Sequence, residues 1–476
     1  MKVGGTIRQK TWRQVALWAA VGVVALLFIL LSPAAAYAGT GPDWTTYQNE
    51  IGRSGDNSAE TIISPSSAPN LKLHWYHTTG GSIFTQPVVA NSLIYWGSWD
   101  QGYEHATDFN NNHIWTYSTG TTESSGCGPP PIGVSSTSTI ATVTINGKPT
   151  SVDFFGGGTP IFYALNALTG KLIWSTPLGS SPNHFIWSSP AVYNNSVYIG
   201  VASLGDCPLV QGQEVQLNAA TGKIEHIFNT VPNGCIGAGV WSSAAIDPTG
   251  NGGLGSLYFD TGNGGSCSTS EPYAEAMVEL NLSNLAYIGS WQIPSSERVV
   301  DSDFGATPTF FTENGQHRVG AVNKNGIFYA FDRGSLGRGP FWTTRISNGG
   351  PCPQCGSADI SPAAWDNSTL YVAGGSVTIN GQSCKGSVSA LNPVTGSFIW
   401  RTCLTDGSVL GAVITANGVV VAAEGRYMVV LDAASGEVLY SFEDSGSGSL
   451  FYGAASISRG VIYLGNMDGK LYAIGT

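Results

Sequence analysis

The sequence predicts an all-β protein, one eight-bladed β-propeller of four-stranded antiparallel blades. Three observations carry this. A hairpin phrase recurs along the chain, and self-similarity at a fixed period marks repeat architectures. Glycine and aromatic residues are abundant (63 Gly, 14 Trp, 19 Tyr and 18 Phe in 476 residues), while only 11% of residues are charged. That balance suits many tight turns between buried strands, and it excludes a disordered chain or a coiled coil. Finally, the last copy of the repeat lacks a strand that the N-terminal region supplies.

The recurring phrase is an apolar strand, Asn or Asp, a turn ending in Thr/Ser-Gly, and a strand carrying an aromatic residue. It reads YALNALTGKLIW over 163–174, VQLNAATGKIEHIF over 215–228, SALNPVTGSFIW over 389–400 and VVLDAASGEVLY over 429–440. Degenerate copies lie at 278–291 and 329–342. Strands of period two flank a turn whose glycine takes a positive φ, which describes a tight hairpin. A second phrase precedes each copy: a small-residue strand, a polar turn and an aromatic-containing strand. Examples are SSPAVYNNSVYIG (188–200), ISPAAWDNSTLYVAG (360–374) and GAASISRGVIYLG (453–465). Two hairpins make one propeller blade. Blades start near Thr85, Gly133, Ser188, Val240, Gly305, Ile360, Gly411 and Gly453. The eighth stops after its third strand, and Leu71-Lys72-Leu73-His74-Trp75 offers the fourth. Closing the ring this way removes an open sheet edge. Trp115, Trp174, Trp342 and Trp400 are expected to wedge between neighbouring blades.

Residues 1–38 read as an export signal. Lys2, Arg8, Lys10 and Arg13 precede an apolar run from Val15 to Leu31, and Ala36-Tyr37-Ala38 has the small–x–small pattern of a cleavage site. Residues 39–70 then read as an N-terminal extension and 71–476 as the propeller. The expected location is extracellular or in the cell envelope, with a membrane anchor if the signal is retained. Net charge is −11, and loss of the four leader bases makes it −15. Such an acidic chain is a poor partner for nucleic acid.

All eight cysteines follow the leader, and an even number in an exported chain suits disulfides. Cys384 and Cys403 lie ten residues before and nine after Val394, a turn centre; Cys207 and Cys235 each lie fourteen from Thr221. Antiparallel pairing therefore predicts the bridges Cys384–Cys403 and Cys207–Cys235. Cys352–Cys355 is a plausible local pair, which leaves Cys127 with Cys267. Cys355 is followed by Gly356 and not His, so c-type haem attachment is unsupported, and zinc lacks a second Cys-x-x-Cys pair.

These repeats resemble the quinoprotein family, the propellers of the pyrroloquinoline-quinone alcohol dehydrogenases, over essentially the whole chain after the leader. Gly237-Ala238-Gly239-Val240-Trp241 looks like the Gly-rich Trp segment of that family, which implies Trp241 as the floor under the quinone ring. Tyr258-Phe259-Asp260-Thr261-Gly262-Asn263 resembles the strand end whose Asn binds Ca²⁺, implying Asn263 as a metal ligand. Asp301-Ser302-Asp303-Phe304 falls where the family places its catalytic Asp, so Asp301 or Asp303 is the implied base, with Asp303 also a metal ligand. Asn323-Lys324-Asn325-Gly326 resembles the segment whose basic residue reaches the quinone oxygens, implying Lys324. The chemistry needs these types: a flat redox ring wants an aromatic platform, Ca²⁺ wants oxygen ligands, and hydride transfer wants a base for the alcohol proton.

The chain also departs from the family pattern. The Ca²⁺ glutamate expected in the third blade is absent; the region reads Leu204-Gly205-Asp206-Cys207-Pro208. The adjacent Cys–Cys pair is missing too, and 126–134 looks more like the polyvinyl-alcohol-dehydrogenase branch. The resemblance implies pyrroloquinoline quinone and Ca²⁺ as cofactors, with a small or polymeric alcohol and an external electron carrier as partners. The repeat alone also suits a cofactor-free scaffold with a protein or glycan partner, similar to the outer-membrane assembly lipoprotein. Carbohydrate binding through aromatic rims such as Trp96-Gly97-Ser98-Trp99 is a third reading.

Overall fold

The computed structural model describes Met1 and residues 43–123, 131–265, 267, 270–446 and 449–476. Apart from Met1, the expected export signal lies outside the described residues, as does Cys127. Among the described residues no helix is long and apolar enough to cross a membrane.

Among the described residues eight antiparallel sheets follow one another as blades of four strands, the third carrying an additional short strand, His184–Phe185. Blade four runs Ala245–Asp247, Ser256–Asp260, Ala276–Asn281 and Tyr287–Gln292; blade five runs Thr309–Glu313, Gln316–Val322, Ile327–Asp332 and Trp342–Arg345. In the last blade the N-terminal strand Lys72–Thr78 pairs with Lys470–Gly475, closing the ring as expected. The antiparallel order sorts the connections. Blade-to-blade segments and the loops between second and third strands emerge on one face, the loop face. The remaining hairpin turns emerge on the other, the turn face.

The recurring Trp and Thr-Gly belong to one interaction. The indole N–H of Trp115 donates to the carbonyl of Ala167, Trp174 to Ala219, Trp342 to Pro393 and Trp400 to Ala433, at 2.8 to 3.0 Å. Each acceptor lies in the following blade's hairpin turn. The turn glycines, Gly170, Gly222, Gly396 and Gly436, have φ of 65° to 74°, and each lies against the same indole, so a Cβ would overlap the ring. Positive φ and the wedge together require glycine. Trp75 of the closing strand repeats the contact by donating to Phe109 O at 3.0 Å.

The segment from Trp44 to Asn57 runs along the innermost strands. It exchanges backbone hydrogen bonds with Val89, Ile140, Ile246, Phe310, Trp365 and Thr415, in blades one, two, four, five, six and seven. The Asn57 amide donates to Ile457 O in blade eight, and Arg53 donates to Pro190 O, which leads into blade three. Inner strands carry an edge facing the axis, and this segment pairs it. Asp43 meets Arg459, on a first hairpin turn, at 2.6 Å, so the segment enters from the turn face.

Three disulfides lie wholly within the described residues: Cys235–Cys267, Cys352–Cys355 and Cys384–Cys403. The expected Cys207–Cys235 and Cys127–Cys267 pairs are corrected by the first. Cys207 is also disulfide-bonded.

The blades bury acids. Glu104, Asp153, Glu214 and Asp260 are wholly buried, and burial raises the pKa of each; Asp359 is pushed up by burial to about 6. Raised carboxylates bind more protons folded than unfolded between about pH 4 and 7, so stability falls as pH rises through that window. The lowered acids, Asp108, Asp406 and Asp444, act below it. Thermal melts are therefore expected to show a higher Tm at pH 5 than at pH 8; a Tm rising over that interval would contradict it.

Candidate functional site

Every residue singled out from sequence lies in a loop of blades four or five on the loop face. Trp241 is in the segment entering blade four and Asn263 is in that blade's middle loop. Asp301 and Asp303 are in the segment entering blade five, and Lys324 is in its middle loop. Backbone hydrogen bonds tie the four loops in order: Ala238 N–H to Asn263 O, Gly262 N–H to Gly239 O, Phe304 N–H to Thr261 O, and Lys324 N–H to Asp303 O.

The side chains converge. The Lys324 ammonium donates to Asp301 Oδ2 and Asp303 Oδ2, both at 2.7 Å, and sits 5.3 Å from the Trp241 ring centroid. Asp303 Oδ1 accepts the backbone N–H of Asn263 at 2.5 Å. Trp241 is half-buried, held between Gly262 and Gly305; a Cβ on either would crowd the indole. Asp301 takes a φ of 59°, an uncommon conformation for a non-glycine residue. Its side chain is 24% exposed, against 8% for Asp303, but its Oδ1 is buried and has no hydrogen-bond partner among the described residues.

Burial raises Asp303, opposed by Lys324 and reinforced by Asp301. Burial would lower Lys324, but Asp303 and Asp301 raise it above the usual lysine range, so the ammonium stays charged. Two carboxyls that the site reading left unassigned join the cluster. Asp206 is raised by burial and by Asp301, and lowered by Lys324. Glu275 is raised by burial, held down by Arg298 at 2.8 Å, and raised again by Asp301. Glu275, Arg298 and Asn263 line a cavity of about 360 Å³ with Glu271 and Gln292. Asp206 had a signal, its place beside the missing glutamate; Glu275 and Arg298 had none.

A flat redox ring fits what is present: a fixed aromatic face with a cation beside it. A calcium ion does not. It needs six to eight oxygens, whereas both Oδ2 atoms here accept from Lys324 and Asp303 Oδ1 accepts from Asn263. Among the described residues no group of three His, Cys, Asp or Glu side chains could hold a metal.

A family model described as outer membrane protein assembly factor BamB matches residues 323–476. A polyvinylalcohol dehydrogenase from a Pseudomonas species is 25% identical over 290 residues, 52% of this chain and 43% of that protein. The match thus spans less than half of that relative's length. Among solved structures, quinohemoprotein alcohol dehydrogenase from Comamonas testosteroni has a similar fold (TM-score 0.71, 18% identity, 91% of this chain and 80% of that one). So does a europium-containing methanol dehydrogenase (0.71, 14%, 91% and 98%). BamB from Moraxella catarrhalis gives a TM-score of 0.54 at 14% identity, covering 85% of this chain and 98% of that one.

Proposed function

We propose that this propeller of the pyrroloquinoline-quinone type is an exported alcohol dehydrogenase that uses the quinone and passes electrons to a separate carrier. The observation that carries the reading is the convergence of Trp241, Lys324, Asp301 and Asp303 from two adjacent blades. The polyvinylalcohol dehydrogenase relative supports a substrate bearing secondary hydroxyls on a carbon chain.

Bound there, the quinone would supply a two-electron acceptor for hydride. Trp241 would hold its face, and Lys324 would stabilise negative charge developing on its oxygens. Asp303 fixes both the ammonium and the Asn263 loop. Asp301 Oδ1, buried and without a hydrogen-bond partner among the described residues, takes the hydroxyl proton of an alcohol that enters beside it.

Titrating the quinone into the cofactor-free protein, with and without calcium, and then measuring dye-linked alcohol oxidation tests this. Trp241→Ala is expected to weaken quinone binding at least about tenfold, roughly 1.4 kcal/mol. No quinone affinity in the parent, or equal affinity in parent and variant, would sink the reading in favour of a scaffold. Binding that requires calcium would show that the loops rearrange to admit a cation.

A further inference from the structure

Four half-buried aromatic side chains form an arc on the loop face. Tyr452 and Phe84 meet edge to face at 5.1 Å between centroids. Phe84 and Trp99 lie 4.3 Å apart with planes inclined 58°, and Trp99 and Trp187 lie 5.5 Å apart inclined 46°. Tyr452, Phe84 and Trp187 come from blade-joining segments and Trp99 from the middle loop of blade one. All four therefore share the face that bears Trp241 and Lys324.

The arc leads somewhere at both ends. Trp99 and Trp187 pack on a buried cluster that contains Leu204. Two residues further along is Asp206, whose carboxyl senses Asp301 and Lys324. At the other end Tyr452 lines a cavity of about 340 Å³, with Leu410 and Phe451 as apolar wall, Gln354, Ser357 and Ser376 as neutral hydrogen-bonding groups, and one charge of each sign, Lys385 and Asp406.

We propose that this arc and cavity bind the chain of a neutral, hydroxylated carbon-backbone polymer beyond the carbinol that reaches Asp301. The inference rests on the dehydrogenase reading and names where its substrate lies. The arc side chains are uncharged, and the cavity holds one cation and one anion, Lys385 and Asp406, so a polymer of a single charge gains no net attraction there. Successive rings are inclined by 46° to 86°, presenting ridges and edges instead of parallel plates. A pyranose stacks its flat face on an open plate. A zigzag methylene chain instead lies along ridges, and its hydroxyls reach the amide and serine groups of the cavity.

The test uses polyvinyl alcohol and the full chain without quinone. The polymer is expected to bind the parent and to shield its tryptophans from acrylamide quenching. Trp99→Ala and Phe84→Ala are expected to lose at least tenfold in polymer affinity. In the quinone-loaded protein the same variants are expected to raise the polymer KM at least tenfold while oxidation of 2-butanol keeps its rate. The shielding measurement on the parent stands even if a variant fails to fold. A parent that oxidises 2-butanol but does not bind the polymer, or variants that keep the parental polymer KM, would overturn the arc and leave the dehydrogenase reading intact. Equal binding of dextran would overturn the choice of occupant. A protein that oxidises no alcohol at all removes the reading and this proposal together.

Discussion

Asp301→Asn is expected to lower turnover by about 10²–10⁴, the span a positioned general base supplies, while quinone affinity stays near parental. The reason is geometric. Each oxygen of Asp303 already accepts a hydrogen bond, one from Lys324 and one from the Asn263 N–H, which makes it the less free of the two acids to take a substrate proton. Asp301 spends only Oδ2 on Lys324, and its buried Oδ1 has no hydrogen-bond partner among the described residues. Asparagine at 301 keeps an oxygen for the lysine but loses the basic carboxylate. Asp303→Asn should behave differently. One amide oxygen cannot serve Lys324 and Asn263 as two carboxylate oxygens do, so the Asn263 loop or the ammonium loses its anchor. Asp303→Asn is therefore expected to weaken quinone binding as well as turnover, as a positioning residue should. Steady-state rates and quinone titrations on both variants decide it. Parental turnover in Asp301→Asn, or equal loss of quinone affinity in both, would reverse the assignment.

The blades were legible because one packing event repeats. Each Trp needs a carbonyl and a bare glycine in the next blade's turn, so Trp174 and Gly222, for example, write the same spacing again and again. That phasing also placed Trp241, Asn263, Asp301, Asp303 and Lys324 on one face of two adjacent blades, since all five fall in blade-joining or middle loops. What failed depended on where a ladder stops. In blade three the register that would set Cys207 opposite Cys235 holds only as far as Gln213 opposite Asn229. Beyond it Gly237 bonds to Val210 and Gly212, and Gly237 also bridges to Gly264 in blade four's middle loop. That carries Cys235 to Cys267. The Cys384–Cys403 bridge forms, yet the strand partner of Cys403 is Ser387. Cys384 reaches it from an extra hairpin, Val377–Ile379 with Gln382–Cys384, that no repeat phrase announces. The inner segment was illegible for a related reason. Its hydrogen bonds go to seven different strands and to Pro190 ahead of an eighth, so it shows neither period two nor period 3.6.

Arg53→Met is expected to cost about 3–5 kcal/mol, the range for removing one partner of a buried charged network. Arg53 is wholly buried. Its guanidinium donates to Ala244 O at 2.8 Å, Pro190 O at 3.1 Å, Tyr47 O at 2.6 Å and the Thr46 hydroxyl at 3.0 Å. Methionine refills the volume but removes the donor to Ala244 O and Tyr47 O, while Pro190 O and the Thr46 hydroxyl keep their hydrogen bonds with Thr139; each orphaned buried carbonyl costs about 1–3 kcal/mol. Glu214, raised by burial and eased only by Arg53, loses that compensation. The effect should also spread beyond one contact, because Arg53 anchors a segment that touches every blade. A chain beginning at residue 39 keeps that segment and is expected to melt like the parent without its leader. A chain beginning at residue 59 loses it, leaving the inner strands of six blades without their backbone partner. It is expected to melt at least about 10 °C lower or to fail to accumulate, a penalty several times that of a single lost hydrogen bond. Thermal melts of the two truncations and of Arg53→Met supply the comparison. If the chain beginning at 59 melts within about 2 °C of the chain beginning at 39, the inner segment is ornamental to stability and the ring is held by its blade-to-blade wedges alone.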